Sequence, residues 1–172
     1  MNYSLYSSLG LNSILSINEY SYTYIKMKVI REFLSTVFIV NDGKVLMTWN
    51  KKVKTWVPPG GHIDQNELPC SSVIREAKEE SGLDIKLISP FDKSKTGNLV
   101  QPIHIHLDHI KDDHKHIDLI YFGVVKDGTL LKESDEQTAL RWFSKEELEK
   151  ENLLPNVKEW ALEAINKLGK KY

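Results

Sequence analysis

The spacing of glycine and charged residues between Gly61 and Leu83 restricts the folds that this chain can adopt. An acidic face on a solvated surface helix is the ordinary explanation of a Glu-Glu pair, but it does not account for this spacing. At average residue frequencies of about 7%, seven specified residues match by chance roughly once in 10⁸ starting points. The seven stand in the order Gly61, Glu67, Arg75, Glu76, Glu79, Glu80 and Gly82.

The segment predicts a helix over about residues 67–81. Asn66 is a candidate N-cap, Pro69 is tolerated in the first turn, and Gly82 is the expected C-terminal stop. Just before the helix, the two prolines and two glycines of residues 58–61 disfavour regular structure. An irregular loop followed by a helix is therefore expected here.

Three carboxylates of this helix are predicted to lie together. Residues three and four apart share one side of a helix, so Glu76, Glu79 and Glu80 crowd into an arc of roughly 100°. Carboxylates so placed repel one another, and a divalent cation would convert that repulsion into binding. Oxygen-only ligands favour Mg²⁺ or Mn²⁺ over zinc, and protein-bound Mg²⁺ is commonly shared with substrate phosphates. The pattern therefore points to a phosphorylated substrate.

Two neighbouring features support such a site. The Pro59-Gly60-Gly61 sequence permits an unusual backbone path, and an exposed glycine carbonyl could join the carboxylates as a ligand. Arg75 projects toward the first helical turn, where Glu67 could accept hydrogen bonds from the N–H groups of its guanidinium. We expect this pair to brace the loop against the helix.

The pattern G-x5-E-x7-R-E-U-x-E-E-x-G-U, with U an aliphatic residue, is the signature of the Nudix hydrolases, and this chain resembles that family closely. All seven fixed residues match, Leu83 fills the last aliphatic place, and Ala77 is smaller than usual at the first. The lead-in over residues 56–61 and the segment 140–148 are also similar to the family. The resemblance covers about residues 29–150.

The resemblance implies an α/β fold, a Nudix-type α/β/α sandwich with a mixed β-sheet. It also implies hydrolysis of a nucleoside diphosphate linked to another moiety, in which metal-polarised water attacks phosphorus. The general base is either a glutamate of the Gly61–Leu83 box or an acidic residue before the last strand, where Glu136 follows Asp135. The implied catalytic residues are Arg75, Glu76, Glu79 and Glu136, and the implied Mg²⁺ ligands are Gly60, Glu76, Glu79 and Glu80.

The rest of the chain fits such a domain. Apolar and β-branched residues on both sides of Asn41-Asp42-Gly43 predict a hairpin, and strands are expected near residues 84–89, 103–110, 117–125 and 139–143. Ser144 can cap a short helix. Pro155 opens a last helix that ends near Leu168-Gly169, with one apolar stripe for core packing.

Composition divides the chain at about Met27. Residues 1–26 hold two of the 47 charged side chains and five of the seven tyrosines. They lack the basic and apolar regions of a secretory signal, and no run is long enough to span a membrane. We therefore expect a poorly ordered, dispensable extension at 1–26, a Nudix domain at 27–172, and translation that could begin at Met27.

Charge and cysteine content exclude several functions. The net charge is −1, which argues against binding to nucleic acid or anionic lipid. One cysteine, Cys70, excludes an internal disulfide, and the spacing of Cys and His offers no structural zinc site. A cytoplasmic location is expected, and a homodimer is left open.

Residues outside the box offer weaker candidates for substrate binding. Trp49, Trp56 and Tyr121 could stack on a base, although core packing explains them equally well. Arg31 could contact a phosphate. Five of the six histidines fall within residues 104–116. His104 and His106 share a face of one expected strand, and His116 and Asp118 share a face of the next, so these side chains could line the substrate cleft or decorate the surface of a hairpin.

The leading hypothesis is a Mg²⁺-dependent pyrophosphohydrolase acting on a small-molecule nucleotide, a damaged or surplus (d)NTP. The alternative within enzymes is hydrolysis of a nucleotide sugar or ADP-ribose. The alternative from another class is a Nudix-like module that senses a nucleotide without cleaving it, although such a module would be free to lose the glutamates that this chain keeps.

Overall fold

The computed structural model describes residues 29–89, 99–126 and 139–169. The extension 1–26, Met27 and the candidate base Glu136 lie outside these residues. The helices are α1 Pro69–Ser81, α2 Lys145–Lys150 and α3 Pro155–Leu168. The strands are β1 Ile30–Asn41, β2 Lys44–Asn50, β3 Thr55–Val57, β4 Gly60–His62, β5 Ile85–Ile88, β6 His104–Lys111, β7 His114–Val125 and β8 Leu140–Phe143.

The strands form one mixed sheet. Its main path runs β3-β2-β1-β7-β5, while β4 pairs with β1, β6 with β7 and β8 with β2. The long central pair, β1 and β7, is parallel and in register from Ile30 opposite His114 to Val40 opposite Val124. The other strand pairs are antiparallel. The expected mixed-sheet α/β class is confirmed.

Successive side chains of β1 and β7 point to opposite faces of the sheet, which divides the core into two layers. Val37, Ile39 and Tyr121 pack toward Val73 and Ala77 of α1. On the opposite face, even-numbered residues of the same strands pack against the apolar stripe of α3. The expected stripe is confirmed, because five of its members are buried and Trp160 packs beside them. Among the described residues, no helix is long and apolar enough to cross a membrane.

The ends of the helices follow the local sequence, with one exception. Gly82 ends α1 in a left-handed conformation with φ 73°, as expected. Ser144 caps α2 in a full capping box with Glu147. The predicted N-cap Asn66 is wrong: its own φ is 67°, and Leu68 precedes Pro69 at the helix start without a side-chain cap. Asn66 therefore serves a left-handed turn, a role that asparagine tolerates well.

The segment 56–61 is more regular than its prolines and glycines suggest. Residues 55–57 pair with β2 and residues 60–62 pair with β1, so that only a short break at Pro58-Pro59 separates the two strands. Val37 donates its N–H to the Pro59 carbonyl at 2.9 Å. The expectation of an irregular loop is corrected, because the pairing partners are distant in sequence and no local signal shows them.

Candidate active site

The guanidinium of Arg75 is the centre of a carboxylate network on α1. Its Nε donates to Glu67 Oε1 at 3.0 Å and its Nη2 donates to Glu67 Oε2 at 2.8 Å, which is a bidentate pair. Its Nη1 donates to Glu76 at 2.7 Å and to Glu79 at 3.2 Å. The expected pair of Arg75 with Glu67 is confirmed, and the same side chain also reaches two glutamates of the arc.

Arg75 also ties α1 to the strand before it. Its Nη2 donates to the backbone carbonyl of His62 at 3.3 Å, and the Ser72 hydroxyl donates to the same carbonyl at 3.4 Å. Glu67 in turn accepts the backbone N–H of Asp64 at 3.2 Å. The bracing of the loop against the helix, expected from the sequence, is thereby confirmed.

The charge state of Glu67 is set by this network. Hydrogen bonds from Arg75 lower the pKa of Glu67 to about 2, and the backbone N–H of Asp64 acts in the same direction. The same pairing raises the pKa of Arg75, with Glu67 as the largest cause and Glu76 next. Both groups therefore stay ionised across the physiological range.

Two glycines let β4 approach β1 and α1 closely. A Cβ at Gly61 would lie 2.5 Å from Oε1 of Glu76, and a Cβ at Gly60 would lie 2.6 Å from the Ser35 carbonyl. Two backbone hydrogen bonds flank the antiparallel β1–β4 pairing, one from the Val37 N–H to the Pro59 carbonyl and one from the Ile63 N–H to the Phe33 carbonyl. By the alternation of such ladders, the Gly60 carbonyl points away from β1 and is not used by that pairing.

These residues make a donor set that fits a hard divalent cation. We call Gly60, Arg75, Glu76, Glu79 and Glu80 the carboxylate site. The Glu76 side chain is 15% exposed and that of Glu79 is 58% exposed, while Oε2 of Glu80 is buried. Carboxylate and carbonyl oxygens are the ligands that Mg²⁺ and Mn²⁺ prefer. The Arg75 guanidinium offsets part of the repulsion between the acidic groups.

A cavity of about 310 Å³ opens beside Gly60, on the face of the sheet that carries α3. Its walls combine apolar side chains with a few polar groups, an arrangement typical of small-molecule pockets. Leu34, Phe38, Ile120 and Trp160 supply apolar surface. The polar members include Thr36, Asn50, His106, Asp118 and Asn156.

Asp118 is the unusual polar group of this cavity. Its Oδ2 accepts the Thr36 hydroxyl at 2.8 Å, whereas its Oδ1 is buried with no hydrogen-bond partner among the described residues. Burial raises the pKa of Asp118 to about 6, although the bond from Thr36 acts in the opposite direction. A buried carboxyl with one unused oxygen can accept from a ligand or, when protonated, donate to it.

Comparison with known proteins identifies the family. The model of the NUDIX domain family matches residues 34–167, which include the carboxylate site and most of the described sheet. The chain belongs to the NUDIX domain family. A hydrolase of the NUDIX family from Clostridium perfringens has the same fold, with a TM-score of 0.72 and 37% sequence identity. The alignment covers 81% of this chain and 99% of that one.

Two relatives from Bacillus subtilis carry names that state a substrate. "Putative 8-oxo-dGTP diphosphatase" is 27% identical over 109 residues, which are 63% of this chain and 63% of the relative. "Putative ADP-ribose pyrophosphatase YjhB" is 30% identical over 69 residues, which are 38% of this chain and 33% of the relative. The chain thus matches less than two thirds of the length of either relative.

The other substrate-binding candidates in this Nudix domain lie outside the cavity. Tyr121 is 2% exposed in the core beneath α1, which favours its packing alternative. Trp56 packs edge-to-face between Trp49 and Phe143, with ring centroids 5.5 and 5.1 Å away. Arg31 is exposed near the start of β1, opposite Lys115. The residues that do line the cavity come from β1, β2, β3, β4, β6, β7 and α3 and from the segments next to them, and no local motif marks Asn156 among them.

The Nudix fold divides the histidines of residues 104–116 between two places. His104 stacks on Trp160 of α3 with ring centroids 5.3 Å apart, and His106 lies edge-on to the same indole at 5.2 Å. His114 and His116 instead meet at the start of β7, with ring centroids 4.8 Å apart. The expected sharing of a strand face is confirmed for His104 with His106, while only His106 and His109 line the cavity.

Proposed function

We propose that this chain hydrolyses a diphosphate bond in a nucleoside diphosphate linked to another group, with a (d)NTP as substrate and Mg²⁺ as cofactor. The observation that carries the proposal is the carboxylate site itself. Glu76 and Glu79 are held by one guanidinium against a glycine strand whose Gly60 carbonyl is not used by the β1–β4 pairing. Family membership supports the same chemistry, since Nudix proteins generally use divalent metals.

In this proposal, each residue of the carboxylate site has a defined task. The Gly60 carbonyl with Glu76, Glu79 and Glu80 would hold Mg²⁺. When bound, Mg²⁺ supplies an activated water and neutralises charge on phosphate oxygens. Arg75 fixes the orientation of two of the carboxylates, and Glu67 fixes Arg75. The proton of the attacking water is taken by Glu79 or by Glu136, which lies outside the described residues.

The cavity beside Gly60 is the proposed place for the nucleoside. It adjoins the loop that leads into the carboxylate site, so a base held there leaves the diphosphate near the metal ligands. Asp118 and Asn156 can hydrogen-bond the edge of a base, and the Trp160 ring offers an apolar wall. The near-neutral net charge favours a free nucleotide over a long nucleic acid.

Two other functions are distinguished by experiment. Hydrolysis of ADP-ribose or a nucleotide sugar uses the same carboxylate site, and the second Bacillus subtilis relative bears an ADP-ribose name. A nucleotide sensor needs the cavity but not the glutamates, and all the glutamates of the box are present. The (d)NTP is proposed because the longer of the two relative matches bears an 8-oxo-dGTP name.

The test is release of phosphate or pyrophosphate from a panel of (d)NTPs, oxidised dGTP, ADP-ribose and nucleotide sugars, with and without Mg²⁺. We expect turnover of a (d)NTP that requires Mg²⁺ and falls at least about 100-fold in Glu79→Gln and Glu80→Gln. Glu149→Gln, an exposed change on α2, is the matched control and should leave turnover intact. Preferred turnover of ADP-ribose establishes the first alternative, and nucleotide binding without turnover establishes the second.

A further inference from the structure

Three histidines and one glutamate meet at the end of the β1–β7 pair, and we call them the histidine cluster: Glu32, His62, His114 and His116. Glu32 lies opposite His116 in the parallel β1–β7 register, and His114 lies one position back on the same face. His62 ends β4 and pairs with Leu34 of β1. The sheet thus brings together four side chains from three strands.

The three imidazoles converge on one carboxylate oxygen of Glu32. Glu32 Oε2 lies 2.6 Å from His114 Nε2, 3.4 Å from His116 Nε2 and 3.3 Å from His62 Nε2. The Nε2 atoms of His114 and His116 are themselves 3.2 Å apart. These four contacts would need four N–H donors if all were hydrogen bonds, whereas three neutral imidazoles supply one each. Hydrogen bonding alone therefore does not account for all four contacts.

Three of these four separations, those of 3.2, 3.3 and 3.4 Å, match the spacing of neighbouring ligands around a metal ion. Zinc binds imidazole nitrogen and carboxylate oxygen at about 2.0–2.1 Å, so neighbouring ligands of a tetrahedral site lie about 3.3 Å apart. The ligand atoms of Glu32, His114 and His116 all lie within 4.8 Å of one another. A cation between them needs only small side-chain adjustments.

We propose that the histidine cluster binds Zn²⁺ or a similar borderline divalent cation. Glu32, His114 and His116 are the three ligands, and His62, whose Nε2 lies 3.3 Å from the same Glu32 oxygen, is the candidate for a fourth. Imidazole nitrogen suits this class of metal, whereas the oxygen donors of the carboxylate site suit Mg²⁺. The molecule therefore carries two metal sites of different chemistry.

His62 connects the proposed zinc site to the carboxylate site. Its side chain belongs to the cluster, while its backbone carbonyl accepts from Arg75 at 3.3 Å and from Ser72 at 3.4 Å. A cation held by His62 would also fix the end of β4, two residues after Gly60. Zinc should therefore raise the thermal stability of the whole chain, by about 5 °C or more at a hundredfold excess over Kd.

The test is titration of the chelator-treated full chain with Zn²⁺ by calorimetry, with millimolar Mg²⁺ present to occupy the carboxylate site. We expect one Zn²⁺ per chain with a Kd below about 1 µM. His114→Ala and His116→Gln should each weaken binding at least about 100-fold. His109→Ala on β6 is the matched control and should bind Zn²⁺ as the unmodified chain does.

Thermal melts without zinc show whether each variant is folded, and a crystal grown with Zn²⁺ gives an answer that depends on no substitution. We expect an anomalous peak bonded to Glu32, His114 and His116. The proposal is overturned by the absence of one-to-one binding, by binding that the substitutions leave unchanged, or by a peak at the glutamates of α1 alone. None of these results depends on whether the chain hydrolyses a nucleotide.

Discussion

At the scale of single residues, Arg75 is the group on which the carboxylate site depends most. One planar guanidinium pairs with both oxygens of Glu67 and still reaches Glu76 and Glu79. A lysine ammonium is a point charge and cannot donate this planar set of hydrogen bonds. Glu67 does not belong to the arc of metal ligands, so a change there tests positioning alone.

We predict that Glu67→Gln lowers kcat at least about tenfold and reduces the free energy of unfolding by about 1 kcal/mol at pH 7. The amide presents one acceptor instead of two to Arg75, which is then free to shift between Glu76 and Glu79. Enzyme kinetics and urea denaturation check the two effects. Glu149→Gln is the control and should change neither quantity.

The effect of Glu67→Gln on stability should depend on pH. The pKa of Glu67 is lowered to about 2 in the folded chain, from an ordinary value near 4.5. A lowered pKa stabilises the fold above the ordinary value and loses that contribution as the pH falls toward 2. The difference between variant and unmodified chain should therefore shrink by more than half at pH 3. A difference that stays constant down to pH 3 would show that Glu67 is not the titrating partner.

The contribution of Asp118 to the free energy of unfolding has the opposite pH dependence to that of Glu67. Burial raises its pKa from 3.8 to about 6, so its folded form favours the proton. The stabilising contribution is complete below about pH 4 and is lost as the pH rises through 6, which leaves a buried charge at pH 8. The cost of that charge reaches about 3 kcal/mol, since one pKa unit corresponds to about 1.4 kcal/mol.

We predict that Asp118→Asn increases the free energy of unfolding at pH 8, by up to about 3 kcal/mol, and by about half as much at pH 5. Asparagine can still accept from Thr36 through its side-chain carbonyl. For a nucleotide that binds the cavity, KM should rise about tenfold while kcat changes less than threefold. A stability difference independent of pH, or an unchanged KM, would remove Asp118 from the proposed nucleoside site.

At the scale of elements, the contact between β4 and α1 determines whether the carboxylate site forms. Gly61 leaves no room for a side chain, because a Cβ there would lie 2.5 Å from the Glu76 carboxylate. That carboxylate ends a flexible side chain, yet Arg75 holds it at 2.7 Å. The chain can relieve the clash by moving Glu76 rather than by unfolding.

We therefore predict that Gly61→Ala folds with a melting temperature within about 4 °C of the unmodified chain but loses at least about 100-fold in kcat/KM. Gly43→Ala is the contrasting control. Gly43 has φ 72° and open space around it, so alanine there is strained without touching the site. It should cost about 1 kcal/mol of stability and leave kcat/KM unchanged. Equal losses of activity in the two variants would contradict this account.

Local sequence signals predicted the elements well where the cause was local. Gly82 ends α1, Ser144 caps α2 and Pro155 opens α3, and each does so through its own backbone or side chain. Asn66 failed as an N-cap because asparagine serves left-handed turns as readily as helix starts. The strands at 55–57 and 60–62 were missed because their pairing with β2 and β1 is a long-range property.

At the scale of the whole molecule, the same distinction separates the two candidate metal sites. The glutamates of the carboxylate site lie within one helix, so their spacing alone predicted their grouping. The histidine cluster joins residues 32, 62, 114 and 116, which the parallel β1–β7 pair and the short β4 bring together. Asp118 on β7 and Asn156 on α3 line the same cavity and are likewise far apart in the sequence. Such groupings follow from strand register, which the sequence does not specify residue by residue.

We predict that the extension before the domain, residues 1–26, is dispensable for folding and activity. The family match begins at residue 34, β1 begins at Ile30, and the charged composition begins near Met27. A shortened chain that starts at Met27 should melt within about 2 °C of the full chain, retain kcat/KM within twofold and bind Zn²⁺ equally well. A chain that starts at Thr36 is the control and should fail to fold, because β1 loses half its pairing with β7. Loss of folding or of turnover in the chain from Met27 would make residues 1–26 part of the domain.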